Sequence, residues 1–283
     1  MMYCPINNSI CQTMQRLSER VWFDLESARL LHSPLHEESI TQYNSLHLMR
    51  SHGHQNNIRQ FSKSEEKKNG SDWLWLFYEP GTLRYFRVAV QAKRLYDNGK
   101  YQAFKTPQLN NLIQYSTNNQ STPIYVLYNH PKMDISSEFR RNLNSIAGRR
   151  SLSPASDLGC TFANAHDVRF LKSKAKNPKL LSKYMRPWWH LVCKCGAYDN
   201  SGGNNLDILF TSFLRLVTEF RDEDIFPFKP APAEGGVRRW LNGDVVSIEQ
   251  LRNEFGLDEI DSDDPAEFSP DWVIKTEIPN DGF

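Results

Sequence analysis

No stretch of the 283 residues approaches the ~18 to 20 consecutive apolar residues that a membrane-crossing helix needs, so no helical span and no membrane partner is expected. The first residues, Met1-Met2-Tyr3-Cys4-Pro5, lack the basic and apolar regions of a secretion signal. Cysteine is scarce and irregularly spaced. Cys4, Cys11, Cys160, Cys193 and Cys195 argue for thiols in a reducing cytoplasm rather than a disulfide framework. Cys193-x-Cys195 lacks the two-residue gap of zinc-binding pairs, and no second pair follows it. Gly202-Gly203 and Gly235-Gly236 neither follow a strand nor open on Lys-Ser/Thr, so they read as turns and not as phosphate loops. No internal repeat and no base-reading motif is visible. What remains is a folded chain, 12% aromatic and 24% charged, long enough for one large domain or two modest ones.

What the chain does have is an uneven spread of charge. Its net charge is +1, yet Ile58 to His190 carries 22 basic and 9 acidic residues, and Asp199 to Phe283 carries 7 basic and 19 acidic. A basic middle suits a polyanion-binding surface. A solvated surface of mixed sign followed by an acidic tail accounts for the charge equally well.

Periodicity places helices over Gln12–Leu31 (Leu17, Val21, Leu25, Ala28) and Glu37–His52 (Ile40, Tyr43, Leu46), broken apart by Ser33-Pro34. Asn56–Ser62 reads as a short strand, and Lys63–Gly70 as a charged, flexible approach. Trp73–Tyr78, the turn Glu79-Pro80-Gly81-Thr82 and Arg84–Lys93 form a hairpin by spacing and turn chemistry. Gln108–Asn118 reads as a helix. Pro123–Asn129 is a nearly continuous apolar strand, hence buried on both faces and parallel to a neighbour. Asn205–Arg221 is another helix, and Asp258–Asp271, with seven carboxylates, is a loosely held tail.

The informative residues are the polar ones in the hairpin. Asp72 opens its first strand, and Gln91 and Lys93 close the second on one face, with Ala92 on the other. A lysine at the end of a buried strand is costly unless a carboxylate pairs with it, and Asp72 is the nearest candidate.

This order resembles the PD-(D/E)XK nuclease superfamily: a helix with a glutamate, a strand opening on aspartate, an antiparallel strand closing on Gln-x-Lys, a helix and an apolar strand. The Gln-x-Lys ending is similar to the branch that includes Mrr-type restriction nucleases. Glu37-Glu38-Ser39-Ile40-Thr41, Gly70-Ser71-Asp72-Trp73, Val90–Leu95 and Pro123–Asn129 look like a group of uncharacterised bacterial proteins placed in that superfamily. The likeness covers roughly Leu35 to Val168.

The resemblance implies an α/β fold, a restriction-endonuclease-like mixed central sheet flanked by helices, with helical additions at both ends. Domain bounds follow at 1–34 for an N-terminal helical segment, 35–220 for the core and 221–283 for an acidic extension. It also implies a metal-dependent, cytoplasmic nuclease, most simply a DNA endonuclease in anti-phage defence. Mg²⁺ or Mn²⁺ would be held by Asp72, Glu38, the amide oxygen of Gln91 and the carbonyl of Ala92, with Lys93 assisting the attacking water. Gln91 departs from the usual acidic residue and removes one ligand charge. Glu37 and Glu38 point about 100° apart on a helix, so one of them faces the sheet, and Glu38 is favoured through Gln42 and Tyr43.

Lys172, Lys174, Lys176, Lys179 and Lys183, with Arg140, Arg141, Arg149 and Arg150, would meet the phosphates of double-stranded DNA. A second copy of the chain or a regulatory protein is a further possible partner. Each residue alone has a structural reading: a turn-capping Asp72, a snorkelling Lys93, a helix-dipole glutamate. The alternative for the whole is a nucleic-acid-binding or scaffold protein that keeps the fold without catalysis.

Overall fold

The computed structural model describes residues 10–52, 56–79, 84–136, 155–192 and 231–232. Six strands lie in the order β1 (Asn56–Gln60), β2 (Trp73–Glu79), β3 (Arg84–Arg94), β4 (Ser121–Tyr128), β5 (Cys160–Asn164) and β6 (Met185–Pro187). A short β7 (Ala231–Pro232) pairs with the start of β3. The sheet is mixed: β3 and β4 are parallel, and every other pairing is antiparallel. The crossover between the parallel strands is α4 (Thr106–Asn118), the helical link that such a pair requires. The expected mixed α/β sheet with a buried parallel strand is present, and all eight residues of β4 are buried.

Period-2 alternation sorts the strands onto two apolar layers. Trp73, Trp75, Phe77, Val88, Val90, Ala92, Ile124 and Val126 face α1 (Ile10–Leu30) and α2 (Glu37–His52). Leu74, Leu76, Ala89, Tyr125 and Leu127 face α4 and α5 (Ala165–Leu171). Met14, Leu17, Val21 and Leu25 of α1 belong to the first layer and pack into the core. Trp188 and Trp189 are buried, as core residues should be; the Trp188 indole donates to the Met14 carbonyl at 2.8 Å.

Lys63–Gly70 differs from expectation. It is not a flexible approach but helix α3 (Lys63–Asn69). Ser62 and Glu65 form a reciprocal capping box, and Gly70 ends the helix in the left-handed region at φ 73°. A Cβ at Gly70 would overlap the backbone carbonyl of Gln108, so this glycine also lets α3 lie directly on α4.

Cys160 is a buried thiol, but Cys11 is disulfide-bonded, with its partner outside the described residues; the expectation of thiols throughout does not hold at Cys11. Among the described residues, no helix is long and apolar enough to cross a membrane. The expected helix at 205–221, the acidic tail at 258–271, and Arg140, Arg141, Arg149 and Arg150 lie outside the described residues.

Candidate functional site

Three features aim side chains at the carboxyl end of β3. The turn after Gly70 starts β2 at Trp73, and the Asp72 amide donates to the Val90 carbonyl at 2.8 Å. Continuing the Trp73↔Val90 register by one residue sets Asp72 opposite Gln91. Gln91 and Lys93, two residues apart, then share the α4 face with it, beside Tyr125 and Leu127 of β4.

Asp72 is half-buried, and its Oδ2 takes two hydrogen bonds at 2.6 Å, from Gln91 Nε2 and from the Ala92 amide. Oδ1 accepts none from any described residue. Burial pushes the Asp72 carboxyl up to about 8; Lys93 and the Ala92 amide pull it down, and Glu66 and Glu37 push it further up.

Gln91 is fully buried, and the structure orients its amide. Its oxygen accepts from Gln108 Nε2 at 2.7 Å, and its nitrogen donates to Asp72. The reverse orientation would set the Gln91 oxygen against Asp72 Oδ2, the acceptor of the Ala92 amide, and the Gln91 nitrogen against Gln108 Nε2. Gln91 is therefore a donor that steadies Asp72, and its oxygen, expected as a metal ligand, is committed to Gln108. Nothing in the sequence singled out Gln108, an ordinary residue of a helix first turn. Only the packing of α4 over β3 gives it a role.

Lys93 is 5% exposed, and its Nζ lies 3.7 Å from Glu37 Oε1. Of the adjacent glutamates, the structure brings Glu37 and not Glu38 to Lys93. Glu38 points to solvent and pairs with Lys63 at 3.2 Å, which also holds Glu66 at 3.1 Å. Gln42 and Tyr43 carry no information on this point, because α2 meets the site with its first residue, Glu37. Desolvation raises the Glu37 carboxyl, opposed by Lys93 and by a hydrogen bond from the Arg94 backbone. Arg94 in turn donates to the Leu35 carbonyl at 2.5 Å, which fixes the chain entering α2.

The electrostatics leave room for a cation. Asp72 and Glu37 both sit where burial disfavours their charge, Glu66 adds to the repulsion, and Lys93 attracts both carboxyls. No cluster of three His, Cys, Asp or Glu side chains with metal-holding geometry occurs among the described residues. A hard cation that keeps most of its waters needs fewer: one or two carboxylates and a carbonyl suffice. Asp72 Oδ1 and Glu37 fit that smaller set, and the Ala92 carbonyl, which accepts from Gln91 Nε2 at 3.2 Å, is next to them.

The lysines expected to meet phosphate lie to one side. Lys172, Lys174, Lys176 and Lys179 are exposed. The Lys176 carbonyl accepts from the Tyr101 amide at 3.0 Å. Tyr101 packs edge-on against Phe104, and Phe104 against Tyr125, which is paired in register with Gln91. The basic turn is thus joined to the site through one layer of aromatic side chains. Lys179 is paired with Asp134 at 3.7 Å.

No curated protein matches the chain. A family model described as a family of unknown function, DUF6615, matches residues 10–268, which takes in every site residue named above, and the chain belongs to that family.

Proposed function

We propose that the chain is a metal-dependent nuclease that hydrolyses phosphodiester bonds in DNA. The observation that carries this reading is the convergence of Asp72, Gln91 and Lys93 on one sheet face at the carboxyl end of a parallel strand, with Glu37 closing the site. Ligand sites of open α/β sheets form at such strand ends. Mg²⁺ or Mn²⁺ held by Asp72 and Glu37 would neutralise charge developing on the phosphoryl oxygens and lower the pKa of an attacking water.

The chain's own residues do the rest. Gln91 and the Ala92 amide fix one oxygen of Asp72 and leave the other unengaged by any described residue. Lys93, held by Glu37 and almost sealed from water, presents a positive charge to the phosphoryl group and orients the nucleophilic water. Nearby Lys172, Lys174 and Lys176 supply phosphate contacts that carry no base preference. A role in bacterial defence against foreign DNA rests on the family resemblance alone.

One observation favours a second reading, a DNA-binding protein without catalysis: the Gln91 oxygen is engaged by Gln108, which leaves a sparse ligand set. Incubating supercoiled plasmid with Mn²⁺ and the purified protein separates the two. Nicking or linearisation by the native chain, absent in Asp72→Asn and Lys93→Met, is the expected result. DNA binding with no cleavage under Mg²⁺ or Mn²⁺ overturns the nuclease reading in favour of the second.

A further inference from the structure

Phe170, in the last turn of α5, has 68% of its surface exposed, on a helix whose other apolar residues, Ala165, Val168 and Leu171, are buried or packed against the core. Arg169 precedes it, and Lys172, Lys174 and Lys176 follow in a 3-10 turn that packs against α5. Those three lysines are exposed, and no described carboxylate pairs with any of them. The turn has one apolar anchor, the buried Ala175, so its cations stay on the outside. Phe23 and Leu30 on α1 and Leu31 just beyond it are exposed too, but among the mixed charges of Asp24, Glu26 and Arg29, while the less exposed rings of Tyr43 and Tyr96 are already covered by Arg20 and Arg94.

An exposed aromatic ring set among unpaired cations matches the chemistry of an unstacked nucleotide. The ring offers a face to any base, and the lysines meet the flanking phosphates. In a closed duplex the base faces are already stacked on one another, and Phe170 would have nothing to cover. We infer that the Phe170 surface binds single-stranded nucleic acid, so that the substrate class is a single strand or an opened end and not the intact double helix that charge alone suggested. The inference rests on the nuclease reading only for its purpose: the Lys176–Tyr101 tie and the Tyr101–Phe104–Tyr125 ring contacts connect this surface to the strand pair that carries Gln91.

The test uses the full chain in EDTA, where no metal-dependent cleavage occurs, so it stands or falls independently of catalysis. Anisotropy of a fluorescent oligo(dT) is compared with that of a hairpin-capped duplex of equal phosphate number. Native protein should bind oligo(dT) more tightly than the duplex. Phe170→Ala should weaken oligo(dT) binding by about five- to a hundredfold, the loss of one or more stacked bases, with an unchanged salt slope. Phe170→Trp should keep the affinity, and its fluorescence should be quenched on binding. Replacing Lys172, Lys174 and Lys176 together by alanine should flatten the salt slope for both ligands.

Phe170→Leu distinguishes stacking from mere apolar contact. Retention of full affinity by Phe170→Leu, an equal loss for duplex and single strand, or binding unaffected by Phe170→Ala would each overturn the inference. Equal displacement of the strand by polyglutamate at matched charge would also overturn it, since the surface would then be a general anion exchanger. Phe170 is exposed, so none of these substitutions removes a core contact.

Discussion

The two faces of the central sheet are written by the same strands, in alternate residues, yet they serve different ends. Between α1, α2 and the sheet lies a dry layer in which Trp75, Val88, Val90, Ala92, Ile124 and Val126 are 0% exposed. The α4 side is equally apolar over Leu74, Leu76, Ala89 and Leu127. At the carboxyl end of β3, however, that layer gives way to a row of polar groups: Asp72, Gln91, Lys93 and Gln108. The dry face is where stability resides, because apolar area removed from water supplies most of the free energy of folding. The polar row opposes folding, since each buried polar group must find a partner to offset its lost hydration. Asn129 on the same side is a buried polar residue of the ordinary kind, satisfied by Tyr101, Leu158 and Thr161; the row at β3 differs in holding the ionisable pair Asp72 and Lys93, a combination that marks functional sites.

The largest expected effects break the comparison cleanly. Trp75→Ala, on the dry face, should cost about 3–5 kcal/mol in denaturant unfolding, through lost burial and the cavity left behind. Lys93→Met keeps the apolar stem and removes the charge. Chemical denaturation should find it folded, with the cost of leaving Glu37 and Asp72 without their cation smallest at low pH where both are protonated, while plasmid cleavage should fall by about a hundred- to a thousandfold. If Lys93→Met unfolds the protein and thereby loses its activity, the polar row is structural and the contrast disappears.

The adjacent glutamates give the next test. Glu37→Gln should lower cleavage by about ten- to a hundredfold, because Glu37 steadies Lys93 and completes the carboxylate pair. Glu38→Gln removes only a surface pair with Lys63, whose contribution is about 0–1 kcal/mol, and should leave cleavage unchanged. Equal losses in the two variants would return the assignment to the open question that the sequence posed.

Much of this was legible from sequence, and the failures have physical causes. The hairpin, the parallel buried strand and the shared face of Gln91 and Lys93 follow from period-2 alternation, a local rule that tertiary packing rarely overturns. The Ser62-x-x-Glu65 box and Gly70 were also local signals. They were obscured because Lys63–Asn69 carries no apolar stripe, so periodicity was silent where capping chemistry was explicit. Glu37 against Glu38 was not decidable from α2 alone, because the helix meets the site with its end. Gln108 was invisible: its role depends on the close approach of α3 to α4 at Gly70, a tertiary fact that one sequence does not reveal.

A smaller effect concerns pH. Asp72 holds its proton up to about 8 in the folded chain, against about 4 when unfolded. Between those values the folded state binds more protons than the unfolded one. The contribution of this group to stability is therefore largest at low pH and is lost as pH rises toward 8. Asp72→Asn, which keeps an acceptor for Gln91 and Ala92, should raise the melting temperature at pH 8 and leave it unchanged near pH 4. A divalent cation must displace the same proton, so Mn²⁺ affinity should rise by up to tenfold per pH unit across that window. A flat Mn²⁺ titration between pH 5 and 8 would place the cation away from Asp72.

The smallest expected effect bears most directly on how the polar row works. Gln108 donates to the Gln91 oxygen, and in the proposed site it is a positioning residue that turns the Gln91 amide. Gln108→Leu removes the donor and leaves the Gln91 oxygen buried without a partner, which should lower Mn²⁺ affinity by about tenfold, as losses of outer partners do. Gln108→Glu is more informative. A carboxylate accepts hydrogen bonds but donates none, so the Gln91 amide should rotate to give its nitrogen to Glu and turn its oxygen toward Asp72. If Gln91 serves as the donor that fixes Asp72, this variant should bind Mn²⁺ less tightly than Gln108→Leu does, and a nuclear magnetic resonance titration should find the Asp72 carboxyl still higher. Tighter Mn²⁺ binding by Gln108→Glu would instead make the Gln91 oxygen a ligand in waiting, held off the cation by Gln108 alone.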